Sequence, residues 1–335
     1  METMDVSRTI ANLEGSFVAK EVKGQQYIYF EHYLPGGQRK QVYLGKKTSK
    51  AVEELMKEYP ENKAGIAEMT ANVRRLAVQV SVEIEFKTDN ASTRVIRSLS
   101  DAGVFRSGGV IVDTHAFRSI GLMLGVVWPS GSSATSDIGL AAPRTVTLAL
   151  PTVAVPIPKA VESVKMGFFQ VPALNPKHPS TSFAIRKRQL RLDILTPKTT
   201  KSFDPVFIPR FGCAAEPIEY LSYLIESPAH AVLVDANPVL INVPQPARYA
   251  LHKLIVSQKR DMSKGGKSVK DLEQARQILS VIRDGRPYDL GVAWNDLVRR
   301  GPQWRSLAEG GLKEMRKRFG KIDLDLDELA ADSAT

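Results

Sequence analysis

The sequence predicts a mixed chain of the α+β kind, with a β-hairpin and helices first, an α/β core in the middle and a helical domain at the carboxyl end. Three observations predict it. Short aromatic and β-branched runs near the start are broken by turn residues, strand and helix periodicities alternate through the centre, and the spacing from Arg248 onward is helical throughout. The expected boundaries are 1–90, 91–245 and 246–335.

Tyr27 to Phe30 and Val42 to Leu44 flank Pro35, Gly36 and Gly37, which is hairpin chemistry. Val52, Leu55, Met56 and Tyr59 then follow helical spacing, with Ser49 as cap and Pro60 as the expected stop. A second helix is expected to carry Ile66, Met69, Val73, Leu76 and Val80 on one face. Ser92 to Ala102 reads as a capped amphipathic helix closed by Gly103. Val110 to Val112 reads as a buried strand, Arg118 to Leu124 as a helix or turn, and Pro129 to Ala134 as a loop before a strand opening at Asp137.

Thr145 to Leu150 continues the β pattern, and Pro151 to Pro158 is expected to be irregular because proline removes ladder donors. In Gln189 to Leu195 the apolar Leu190, Leu192 and Ile194 alternate with Arg191 and Asp193, which puts the two charged residues on one strand face. Helices are expected over 247–260, 269–283, 290–299 and 303–319, with a frayed acidic tail beyond Asp323.

The chain has 335 residues, 43% of them hydrophobic, enough for two domains and a large core. Its net charge of +10 favours an anionic partner such as a nucleotide or nucleic acid. The hairpin could meet nucleic acid through Tyr29, Arg39, Lys40 and Tyr43, although an ordinary half-buried hairpin shows the same alternation. A single cysteine, Cys213, excludes an internal disulfide framework and a cysteine-rich zinc site. Met1 to Asn12 lacks the apolar segment of a signal peptide, and no run reaches the ~20 apolar residues of a membrane span. A cytoplasmic protein with no membrane partner is expected.

Asp137 opens one strand and Asp193 lies within another. Two strand-borne carboxylates facing one cleft can hold Mg²⁺, an ion that takes oxygen ligands and few protein ones when phosphates supply the rest. The run Gly108-Gly109-Val110-Ile111-Val112-Asp113-Thr114-His115-Ala116-Phe117, then Thr135-Ser136-Asp137-Ile138-Gly139-Leu140-Ala141, resembles a bacterial nucleotidyltransferase-fold family distantly related to abortive-infection nucleotidyltransferase toxins. The likeness extends through Leu190 to Pro197, Ala250 to Val256 and Lys270 to Ala275, and covers nearly the whole chain in matching order.

That resemblance implies a nucleotidyltransferase-type mixed sheet and the metal-dependent transfer of a nucleoside monophosphate from a nucleoside triphosphate to a hydroxyl of RNA, protein or a small molecule. In such a fold a Gly-Ser or Gly-Thr turn cradles phosphates, an Asp-x-Asp pair stands on the next strand, and a third aspartate on a later strand completes a two-metal clamp for Mg²⁺ or Mn²⁺. Carried over by position, Asp137 matches the first of the pair and Asp193 the third, while Thr114 and His115 follow the cradle. Lys253 and Lys270 match helix-borne lysines that can meet phosphate.

The sequence departs from the pattern twice: the second aspartate of the pair falls at Gly139, and the glycine expected before Thr114 is Asp113. Either Asp113 replaces the lost metal ligand, or the fold has become a degenerate binder of nucleotide, nucleic acid such as tRNA, or a protein. Three other signals are set aside. Gly265-Gly266-Lys267-Ser268 ends like a P-loop but lacks its first glycine and preceding strand, and is expected to be a loop. Cys213 has no base nearby in sequence, and the cluster from Lys313 to Lys321 reads as a solvated helix end.

Overall fold

The computed structural model describes residues 15–33, 39–83, 89–129, 137–144, 155–186, 188–234, 238–260 and 265–333. It divides into two compact units after Glu85, with the short segment Asp235–Pro238 grouped with the first.

The first unit is a three-stranded antiparallel sheet, β1 (Gly15–Val22), β2 (Gln25–Tyr33) and β3 (Arg39–Lys46), followed by helix α1 (Lys50–Glu83). Alternation along β2 sends Ile28 and Phe30 inward, where Phe30 packs with Leu55 and Tyr59 of α1. Pro60 does not stop this helix, which runs through it as one element. An interior proline loses one ladder bond and crowds the carbonyl four residues back, and the buried Val52, Leu55 and Tyr59 anchor the preceding turns against that cost. In the expected second apolar face, Leu76 is exposed, and the side chains of Ile66, Met69, Val73 and Val80 lie outside the described residues.

The second unit opens with α2 (Asn90–Asp101), which starts two residues before Ser92 and is capped by Asp89, whose carboxylate accepts from the amides of Ala91 and Ser92. Gly103 follows at φ +88 and closes the helix. Then come β4 (Val110–Val112), α3 (Asp113–Met123), β5 (Ile138–Ala141), α4 (Ile157–Ser163), β6 (Phe168–Gln170), β7 (Ser182–Ile185), β8 (Arg191–Pro197), β9 (Val206–Ile208) and β10 (Cys213–Ile218). The short α5 (Leu221–Leu224) leads to the hairpin β11 (Ala229–Leu233) and β12 (Val239–Val243).

Two expectations are corrected here. The helix expected from Arg118 begins at Asp113, directly off the strand, and the proline-rich stretch turns helical at Ile157 because proline is compatible with a first helical turn. The expected loop Pro129 to Ala134 and strand Thr145 to Leu150 lie largely or wholly outside the described residues.

The central sheet runs β4-β5-β8-β10-β9, with β7 also on β8 and β6 on β7. Strand β4 is antiparallel to β5, whereas β5, β8 and β10 are mutually parallel neighbours. Helices α6 (Pro246–Lys259), α7 (Gly265–Gly285), α8 (Pro287–Arg299) and α9 (Pro302–Phe319) complete the unit, and their apolar faces join the same buried cluster as the sheet. Gly265 to Ser268 is the first turn of α7 rather than a loop.

The acidic tail is not frayed at its start. It forms α10 (Leu326–Asp332), capped by Asp325, and docks through buried Leu326 and Ala330 while Asp327 accepts from the Trp294 indole at 2.9 Å. No helix among the described residues is long and apolar enough to cross a membrane.

Candidate active site

Three strands bring the acidic residues to one sheet face. Gly139 is the register partner of Asp193 on β8 and of Val112 on β4, so these side-chain positions share a face. Asp137 is the residue immediately before β5. Its pKa is raised, first by burial and then by the Asp193 carboxylate, with Arg191 and Lys267 opposing and Asp113 adding. The charges of Asp193 and Asp113 therefore both act on Asp137.

Asp113 joins them in an unusual way. It sits where β4 turns into α3 with φ +60, the left-handed region that costs an ordinary residue about 1–2 kcal/mol and that glycine enters freely. The chain thus keeps the backbone of the expected glycine with an aspartate in its place. Tyr249 of α6 donates its hydroxyl to the Asp113 carbonyl at 2.9 Å and helps to hold that conformation. The Asp113 carboxylate then fills the space that a side chain at Gly139 would need, since a Cβ built there falls 2.7 Å from Asp113 Oδ2 and 2.8 Å from Val112 Cγ2. Two departures that look separate in sequence form one exchange in space.

A lysine faces this carboxylate. Lys253 Nζ lies 3.8 Å from Asp113 Oδ1 and 2.8 Å from Asp271 Oδ1, with the Tyr249 ring 5.2 Å away. Burial opposes its charge, but Tyr249, Asp271 and Asp113 outweigh burial and hold its pKa above the ordinary lysine value. Asp271, itself buried, accepts a second charged bond from Arg260 Nε at 2.6 Å, which fixes it between α6 and α7. The Lys270 ammonium donates to Thr114 Oγ1 at 3.3 Å, and its pKa is lowered by burial and by Lys253. Thr114, Lys253 and Lys270 are therefore gathered around Asp113 at the start of α3, where the first-turn amides and the helix dipole favour an anion.

His115 is placed otherwise. It is 0% exposed, neither ring nitrogen has a hydrogen-bond partner, and burial pushes its pKa down to about 4, so it packs as a neutral core residue. Asp193 is already engaged, because its Oδ1 accepts from Arg191 Nε and from Ser182 Oγ, both at 2.6 Å. Among the described residues no group of three or more His, Cys, Asp or Glu is arranged to hold a metal ion.

A cavity of about 390 Å³ opens beside Asp113 and Lys253. Leu195 and Glu216 of adjacent strands form part of its floor on the carboxylate face, while His252 and Val256 of α6 and Arg260 just beyond its end form a wall. His252, next to Lys253 on a helix where the sequence lets one of the two face the cleft, is 7% exposed, lines this cavity and has no hydrogen-bond partner on either nitrogen among the described residues. Its position one residue before Lys253 was the available signal. Cys213 is buried with its pKa pushed up to about 12, which suits a packed thiol rather than a nucleophile.

A family model described as nucleotidyltransferase matches residues 90–299, from the start of α2 to the end of α8. No curated protein and no solved structure matches the chain significantly.

Proposed function

Because the chain belongs to this nucleotidyltransferase family, we propose that it transfers a nucleoside monophosphate from a nucleoside triphosphate to a hydroxyl, using Asp113, Asp137 and Asp193 as its acidic groups. The observation that carries the proposal is the Asp113 carboxylate standing in the side-chain space of Gly139.

The residues suit a hard divalent cation in donor type, since carboxylate oxygens match Mg²⁺ or Mn²⁺. Mg²⁺ needs only one or two protein carboxylates when phosphates complete its shell, so a preformed cage is not required. A divalent ion supplies charge neutralisation at the leaving pyrophosphate and a lower pKa for the attacking hydroxyl.

The chain's own groups do the rest. Lys253 and Lys270 offset the charge of a triphosphate that Asp113 alone would repel by roughly 1–4 kcal/mol at 4 Å. Thr114 and the first amides of α3 hold phosphate oxygens, and the cavity beside Asp113 takes the sugar and base.

Incubating the protein with labelled triphosphates, Mg²⁺ or Mn²⁺ and total tRNA or protein tests the proposal. Label should pass to an acceptor, and Asp193→Asn should lower the rate by about 100-fold or more. Absence of transfer to any acceptor under both metals would reject the enzymatic reading and favour a degenerate nucleotide binder.

A further inference from the structure

The amino-terminal sheet has one face against α1 and one face left open, and the open face is built unlike an ordinary solvated strand surface. Ile28, Phe30 and His32 of β2 are buried, so Tyr27, Tyr29 and Glu31 alternate onto the other side. Across the sheet, Tyr29 is the register partner of Tyr43, and Tyr27 is flanked by Lys20 on β1 and Lys46 on β3. The three tyrosine rings touch, Tyr27 to Tyr43 at 6.1 Å and Tyr29 to Tyr43 at 5.4 Å, and Tyr43 is 56% exposed. Lys20 Nζ stands 4.9 Å from the centroid of the Tyr29 ring.

Charge is as one-sided as the ring placement. Residues 15–50 hold seven Lys or Arg against two Asp or Glu, and one of those two, Glu31, is already taken up by Arg39 and Gln41. We propose that this open face binds single-stranded nucleic acid, the tyrosines stacking on bases and Lys20 and Lys46 contacting phosphates. Base stacking on aromatic rings is tolerant of sequence, and a flanking pair of ammonium groups follows the backbone, so the face fits a single strand of RNA or DNA. A duplex hides the base faces that the rings require. This reading stands apart from the transfer chemistry, because none of these residues belongs to the carboxylate site.

Fluorescence anisotropy with labelled oligo(U) and oligo(dT) of about 12 nucleotides, without triphosphate or metal, tests it. Binding should weaken as salt rises from roughly 50 to 200 mM, and a duplex of equal length should bind less tightly. Tyr43→Ala should reduce affinity by about tenfold, Tyr43→Phe should retain it, and Lys46→Glu should weaken binding and flatten its salt dependence. The difference between the two oligomers shows which sugar is preferred.

The proposal is overturned if neither oligomer binds at the lowest salt or if the duplex binds as well. Equal affinity of Tyr43→Ala and Lys46→Glu to the parent, with unchanged circular dichroism, overturns it too. A transfer assay that fails leaves this result untouched, since binding is read without either substrate.

Discussion

At the scale of the residue, an aspartate in a glycine's backbone conformation has to be held there. Tyr249 contributes by bonding the Asp113 carbonyl, and Lys253 balances the Asp113 carboxylate. The sequence shows both departures, Asp113 and Gly139, as separate losses. Their meeting depends on the register of β4 against β5, which pairs Val112 with Gly139, and no local pattern encodes that pairing. The two buried histidines carry a different consequence. Burial lowers the pKa of His115 to about 4 and that of His252 to about 3, from an ordinary value of 6.5. The unfolded chain binds these protons first, so stability is complete above pH 6.5 and falls as pH drops towards the folded values. The shifts correspond to about 3 kcal/mol for His115 and about 5 kcal/mol for His252 at the low end of that window. Denaturant titrations between these limits should show stability declining with acid, and His252→Phe should flatten the slope; a slope unchanged by the substitution would contradict the assignment.

At the scale of the element, Asp271 ties α7 to α6 through Lys253 and Arg260. Asp271→Ala leaves the 6% exposed Lys253 ammonium without its nearest carboxylate and should destabilise the fold by about 3–5 kcal/mol, read as a shift in the denaturant midpoint. A loss below about 1 kcal/mol would place the pair among ordinary surface bridges. Long helices were legible because their apolar spacing persists over several turns, and α6 to α9 fall close to where periodicity puts them. Strands β6 and β9, three residues each, were not legible, because so short a run carries no period. Local composition also misleads where tertiary contact decides. The acidic, alanine-rich α10 reads as a tail until Trp294 and Asp327 meet, and Pro60 reads as a stop until Tyr59 is seated beneath the sheet.

At the scale of the whole molecule, the carboxylate face, the anion-favouring start of α3 and the adjoining cavity belong to one compact unit that contains the family match apart from Asp235–Pro238. The carboxylates stand out in sequence as a group, whereas Lys253 stands out there as a phosphate ligand and not as the ion-pair partner of Asp113. The cavity and the unpartnered His252 were not, since they arise from the packing of α6 against β8 and β10. The central claim is that Asp113 supplies the carboxylate that Gly139 lacks. Electron paramagnetic resonance of free Mn²⁺, titrated with protein in the presence of a non-hydrolysable triphosphate, measures it directly. Asp113→Asn and Gly139→Asp should each weaken Mn²⁺ binding by about tenfold, and the exchanged pair Asp113→Gly with Gly139→Asp should return to within about threefold of the parent. Parental affinity in Asp113→Asn, or no recovery in a folded exchange variant, would contradict the account.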